Sequence, residues 1–299
     1  MGRFRLRGRM RRNREGRKGS VPLRAMVPNL VTSLAACAGI TSISLSCEGR
    51  FHQALVALLI VCVCDGMDGR IARLLKASSK LGAELDSLAD FVNFGVAPAI
   101  FMFFWLTGGP SHVIDGAAVS PRLVRCVLGC ALFYAMCDCF RLARFNTMLE
   151  EESLPYWKHY FTGIPAPGGC WLVLTPYLLL ESFAGAVGLP AVGEIVKEPW
   201  FPCFGMGMLL FVGTLMASRL PTISLKSIHI PKRAQRFVIA LALLLVAFLF
   251  IDLWTTLAVV GALYLLTVPV TMVTFMRGRA RYERESPSAA KTANAESAT

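Results

Sequence analysis

The sequence predicts an all-α integral membrane protein of about eight transmembrane helices, six forming a core and two a C-terminal hairpin. Three observations lead there. Hydrophobic residues fill 55% of the 299 positions and charged residues only 17%, whereas a soluble domain carries about 25% charged residues. The apolar residues gather in runs long enough to cross about 30 Å of hydrocarbon, which takes about 20 residues in a helix. Lys and Arg then sort to alternate connections between those runs, the asymmetry that orients membrane helices.

Residues 1–26 form a basic arm. Its first 24, "MGRFRLRGRMRRNREGRKGSVPLR", hold ten Lys or Arg against one acid. Beside a hydrophobic segment such an arm reads as a cytosolic flank drawn to anionic headgroups, not as a nucleic-acid contact. The run that follows is long and no small-residue cleavage site stands out, so a cleaved signal peptide is not expected. Candidate spans follow at 27–47, 51–73, 83–106, 122–145, 164–184, 201–219, 234–252 and 254–276. The connections 70–80, 141–158, 219–236 and 277–284 are basic like the arm. Those at 48–50, 107–121, 185–200 and the turn at Asp252 are short or poor in basic residues. Both termini are therefore expected in the cytosol, in agreement with an even number of spans.

The stretch 234–276 is too long for one span, and Asp252 marks the turn that makes it a hairpin. The first six spans hold almost every intramembrane polar feature, so 27–230 reads as the core and 231–276 as a lipid-facing addition. Residues 277–299 form a cytosolic tail, and its closing stretch "RESPSAAKTANAESAT" is small, polar and expected to be disordered. Most of the ten cysteines sit inside apolar runs. Cys62/Cys64 and Cys137/Cys139 are spaced i, i+2 and diverge on a helix, so the cysteines read as small buried hydrophobes.

One stretch breaks the apolar pattern. "CDGMDGRIARLLKASSKLGAELDSLADF", residues 64–91, brings four Asp and two Arg to membrane depth, where ionisable groups are costly and mark function. Asp65 and Asp68 lie three apart, with Gly69 and Ala72 at four and seven from Asp65. On a helix these share one face. Asp86 and Asp90 stack four apart on the next helix, with Gly82 one turn earlier. Two neighbouring helices thus bring four carboxylates to one cavity near the cytosolic boundary. Packed together they repel, and a divalent cation resolves that. Oxygen-only ligation favours Mg²⁺, Mn²⁺ or Ca²⁺ over zinc, and two ions could neutralise a bound diphosphate. Arg73, one turn beyond Gly69, would add charge-assisted contacts to phosphate. A proton relay, internal ion pairs or a cation transporter would also place carboxylates here.

Read as D-x2-D-G-x2-A-R-x8-G-x3-D-x3-D, the positions Asp65, Asp68, Gly69, Ala72, Arg73, Gly82, Asp86 and Asp90 match every element of the CDP-alcohol phosphatidyltransferase signature, and the chain resembles that family. The resemblance implies a six-helix membrane core, a homodimer, two divalent ions (Mg²⁺ or Mn²⁺) and CDP-diacylglycerol as donor. It implies that Asp65, Asp68 and Asp86 bind metal and that Asp90 is a further ligand and the general base. Gly69, Ala72, Arg73 and Gly82 would line the CDP-lipid site with Asp65 and Asp68. The chemistry is coherent. An alcohol attacks the lipid-side phosphorus, cytidine monophosphate leaves, and a carboxylate takes the hydroxyl proton.

The acceptor is less directly written. "VPNLVTS" (27–33), "LADFVNFGVAPA" (88–99), "RLARFN" (141–146), "FTGIPAPGG" (161–169) and "ASRLPTISLK" (217–226) resemble the bacterial phosphatidylserine synthases of this family. That branch implies L-serine as acceptor and the bacterial inner membrane as location, with the site open to the cytosol. A serine carboxylate needs a cationic partner distinct from the metals. Arg141 and Arg144, at the cytosolic end of the fourth span, offer guanidinium forks suited to it. Basic residues belong at such an end in any case, and Asp138 can pair with Arg141 at i, i+3, so both readings stand. Asn29 is a candidate contact to the CDP-lipid and Asn93 to serine, although either could satisfy local backbone groups. Pro165 and Pro167 open the fifth span, where their missing donors cost little. No histidine pairing suggests catalysis.

Overall fold

The computed structural model describes residues 26–75, 79–114, 116–148, 160–186, 198, 200–218, 221–223 and 235–285. The basic arm up to residue 25 and the closing stretch from 286 lie outside the described residues. Each expected span coincides with a helix. These are α1 (Met26–Cys47), α2 (Phe51–Leu74), α3 (Lys80–Asp90), α4 (Ala97–Leu106), α5 (Pro121–Met148), α6 (Ala166–Ala186), α7 (Phe201–Ala217), α8 (Gln235–Ile251) and α9 (Leu253–Glu285). α3 and α4 form one rod, joined through a π-helical segment at Phe91–Val96. Met26–Cys47, Lys80–Leu106 and Pro121–Thr147 are long and apolar enough to cross a membrane. α2 is of similar length, but its last turns carry the charged residues of the acidic cluster.

Local chemistry explains the boundaries. Ser79 is extended and its hydroxyl accepts from the Gly82 N–H at 3.0 Å, capping the start of α3. Asp252 interrupts the last apolar stretch as expected. Its carboxylate accepts from the Thr255 N–H at 3.1 Å and from the Thr255 hydroxyl at 2.6 Å, so it caps α9. The rod α3–α4 starts at Lys80, earlier than the span expected at 83. α9 runs to Glu285, so the expected tail is helical at its beginning.

α1 packs chiefly on α2, α5 on α7, and α6 on α9. One core joins them, with Leu55, Leu58, Phe94, Phe101, Tyr134 and Leu178 fully buried. Edge-to-face aromatic pairs knit it: Phe101–Tyr177 at 5.0 Å, Trp105–Tyr177 at 5.2 Å and Trp105–Phe201 at 5.1 Å link α4, α6 and α7. Such pairs are worth about 0.5–1.5 kcal/mol each beyond their burial. Of the C-terminal pair, α8 alone is peripheral. It buries no residue, and Phe237, Leu241 and Phe250 are exposed along it, as suits lipid contact. α9 belongs to the bundle instead, with Ala258 fully buried in the common core and Gly261 against Thr175 of α6.

Two ribbons complete the fold. β1 (Val113–Ile114) and β2 (Ala117–Ala118) form a hairpin between α4 and α5. At the other end, β3 (Tyr160–Thr162) pairs antiparallel with β4 (Pro221–Ile223), Phe161 facing Thr222. Two of the stretches singled out in the sequence therefore pair with each other. A third joins them: Arg144 donates from Nη1 to the Ala217 carbonyl at 2.7 Å and from Nη2 to the Ser218 carbonyl at 3.0 Å. These carbonyls end α7 and have no further turn to bond to, so the guanidinium caps that helix.

Gly163 sits inside this junction with φ +78°, and a Cβ there would lie 2.7 Å from the Met216 carbonyl oxygen. Gly163→Ala is expected to lower stability by at least about 1–2 kcal/mol, the cost of the left-handed conformation alone. Thermal unfolding in detergent checks this, and an unchanged midpoint would show that the junction relaxes freely.

Candidate active site

The last turns of α2 and the body of α3 both pack against α1, and their acidic residues come together beside it. One carboxylate oxygen from each of Asp65, Asp68 and Asp86 lies within 4.8 Å of the other two. Asp90, one turn beyond Asp86, lies beside Asp65. All four predicted carboxylates are thus brought together by the expected helix faces. Carboxylates gathered this closely repel, and a bound cation relieves that repulsion. Oxygen donors alone, with no His or Cys among them, fit a hard divalent ion such as Mg²⁺ or Mn²⁺.

A cavity of about 160 Å³ opens beside the cluster, lined by Asn29, Thr32, Asp68, Gly69, Gly82 and Asp86 among others. Ala72 belongs to the same wall. Gly69 has open space where a Cβ would stand, so its smallness leaves room in the cavity and serves no helix contact. Gly82 is closely packed instead: a Cβ would lie 2.8 Å from Asn29 Oδ1. Arg73 stands apart from the cavity wall. It is exposed on the last turn of α2, its Nε donating to the Gly69 carbonyl at 3.1 Å.

Asp68 is the most enclosed of the cluster, 6% exposed. Its Oδ1 accepts from the Gly69 N–H at 2.6 Å and its Oδ2 from the Thr32 hydroxyl at 2.8 Å. Thr32 is a site residue the sequence reading passed over. It lies one turn after Asn29 on the same face of α1, and that spacing was the available signal. Thr32→Val keeps the shape and removes the bond to a buried carboxylate, a bond of the class worth about 1.5–3 kcal/mol. Metal-dependent donor binding is expected to weaken about tenfold, the lower end for outer-shell substitutions, while KM for the acceptor alcohol holds. Titration of the donor with metal present checks this.

The three residues proposed for the acceptor are dispersed. Arg144 is engaged at the α7 terminus, away from the cavity wall. Asn93 lies in the π-helical segment, 1% exposed, with its Oδ1 pressed against Gly39 of α1. Arg141 is within electrostatic reach of Asp65 and Asp90. It forms the expected pair with Asp138, Nε to Oδ1 3.7 Å.

Fold and site together define a helical membrane protein built around an all-carboxylate centre beside a small cavity. The chain belongs to the CDP-alcohol phosphatidyltransferase family, which it matches over residues 25–197. It is 31% identical over 248 residues to the CDP-diacylglycerol–serine O-phosphatidyltransferase of Mycobacterium leprae, covering 82% of this chain and 73% of that protein. The protein of the same name from Mycobacterium tuberculosis (strain H37Rv) is 32% identical over 209 residues, 69% of this chain and 64% of its own length. That of Helicobacter pylori (strain J99) is 34% identical over 195 residues, 65% of this chain and 70% of its own length.

Proposed function

We propose that the protein transfers the phosphatidyl group of CDP-diacylglycerol to L-serine, giving phosphatidylserine and cytidine monophosphate. The observation that carries this reading is the complete eight-position signature, with its carboxylates converging beside a cavity walled by its small residues. The names of the serine-using relatives support the acceptor. In this reading eight helices cross a bacterial inner membrane, with α8 standing outside the bundle. Both termini and the site face the cytosol, and the protein is a homodimer.

Asp65, Asp68 and Asp86 would hold two divalent ions, Mg²⁺ or Mn²⁺, with Asp90 as a further ligand. The ions, when bound, neutralise charge on the diphosphate and on the departing phosphate. The chain supplies the rest. Gly69, Ala72 and Gly82 leave the volume for the cytidine diphosphate, Asn29 offers it a side-chain amide, and Arg73 reaches a phosphate from the rim. Asp90 accepts the proton of the serine hydroxyl as its oxygen attacks the lipid-side phosphorus. The bond to cytidine monophosphate breaks, and that product leaves with the displaced oxygen. Arg141 receives the serine carboxylate, whereas Arg144 maintains the inner end of the bundle.

Membranes containing the protein, supplied with CDP-diacylglycerol and labelled serine, should form phosphatidylserine and release cytidine monophosphate. Parallel reactions with glycerol 3-phosphate, inositol phosphate and choline test the acceptor. Turnover of one of these without turnover of serine overturns the acceptor assignment. Absence of nucleotide release with every alcohol overturns the transferase reading in favour of a cation carrier.

A further inference from the structure

Next to the acidic cluster lies a second polar group that the proposed reaction does not account for. Tyr134, Asp138 and Arg141 fall at i, i+4 and i+7 on α5 and so form one stripe of that helix. The stripe faces the π-helical segment that directly follows Asp90. The Tyr134 hydroxyl donates to the Phe94 carbonyl at 3.0 Å, and a Cβ on Gly95 would lie 2.8 Å from Asp138 Oδ2. π-helical turns inside α-helices recur at functional sites.

The stripe is incompletely satisfied. Asp138 is fully buried, and among the described residues neither of its carboxylate oxygens has a hydrogen-bond partner; nor has Arg141 Nε. Their 3.7 Å separation is longer than the roughly 2.7–2.9 Å of a closed charge-assisted bond. A fully buried carboxylate without donors is costly, and among the described residues Arg141 compensates it by charge. Arg141 in turn feels Asp90 and Asp65. Asp138 is the partner of Arg141 on its own helix, and without it the guanidinium loses the anion that seats it.

We propose that Asp138, seated against Gly95 of the π-helical segment, is a positioning residue that fixes the Arg141 guanidinium where it can receive the carboxylate of the amino-acid acceptor. The proposal rests on the serine reading above, and it makes Asp138 act only through Arg141. Its consequence is selective. Loss of Asp138 affects recognition of the acceptor and leaves the donor side largely intact.

The test is a mutant cycle on the full-length protein in lipid, with KM for serine, kcat and metal-dependent CDP-diacylglycerol binding measured on each variant. Asp138→Asn should raise KM for serine at least tenfold, with donor binding within about twofold of wild type. Arg141→Gln should do the same, and the double variant should be no worse than Arg141→Gln alone. Gly95→Ala keeps both charges but crowds the Asp138 carboxylate. It should also raise KM for serine with donor binding kept, and it serves where Asp138→Asn fails to fold. A wild-type serine KM in Asp138→Asn or in Gly95→Ala overturns the proposal. So does a further rise when Asp138→Asn is added to Arg141→Gln, or an equal loss of donor and acceptor binding. If the wild-type protein itself makes no phosphatidylserine, it is the serine reading that falls.

Discussion

Asp90→Asn is expected to abolish turnover while the protein still binds CDP-diacylglycerol in the presence of Mg²⁺ or Mn²⁺. The amide is nearly isosteric with the carboxylate but cannot accept the serine proton. General bases contribute about 10²–10⁴-fold in rate, so kcat should fall within that range. Asp90 stands at the end of the cluster, beside Asp65 and outside the three-carboxylate group. Donor binding, which rests on that group, should therefore decline far less than kcat. Release of cytidine monophosphate with serine present, set beside a donor-binding titration, separates the two effects. Full activity in the variant would remove Asp90 as the base. Equal collapse of binding and turnover would make it a metal ligand first.

Asp65→Asn and Asp86→Asn should show the opposite pattern. Each replaces a carboxylate of the group whose oxygens lie within 4.8 Å of one another with a neutral amide, which removes that residue's negative charge and leaves one weaker oxygen donor. Outer-shell substitutions at metal sites already cost about 10–100-fold in affinity or activity, and a directly coordinating carboxylate should cost at least as much. The metal concentration for half-maximal donor binding should rise by that factor, and a chelator should remove donor binding from the unmodified protein. Calorimetric titration with Mn²⁺ in the presence of the CDP-lipid reads this without reference to turnover. Unchanged metal affinity in both variants would place the ions elsewhere.

Much of the site was legible because its signal is local. Asp65 and Asp68 share a helix face by spacing alone, as do Asp86 and Asp90, and the structure brings the two faces together. Gly69, Ala72, Gly82 and Asn29 were equally accessible to that reasoning and meet at one cavity. Thr32 was missed because a threonine in an apolar helix carries no charge to attract notice. Its part depends on Asp68, which lies on another helix and 36 residues away. Arg144 shows a contact that no spacing announces. A cation at a cytosolic helix end suggested substrate, and its guanidinium also bonds the carbonyls that end α7, 73 and 74 residues on.

The sequence by itself determined that this is a helical membrane protein, where its helices begin and turn, and which carboxylates share a face. Those features follow from hydropathy and from the 3.6-residue period, both properties of neighbouring residues. It did not reveal that α9 enters the bundle while α8 stays outside, because both read as apolar spans and nothing local to either names its packing partner. Nor did it reveal the π-helical segment after Asp90 or the use of Arg144 as a helix cap. Those were decided by the tertiary structure, since which faces meet depends on packing among distant segments. Buried polar groups then bond to whatever that packing places within reach.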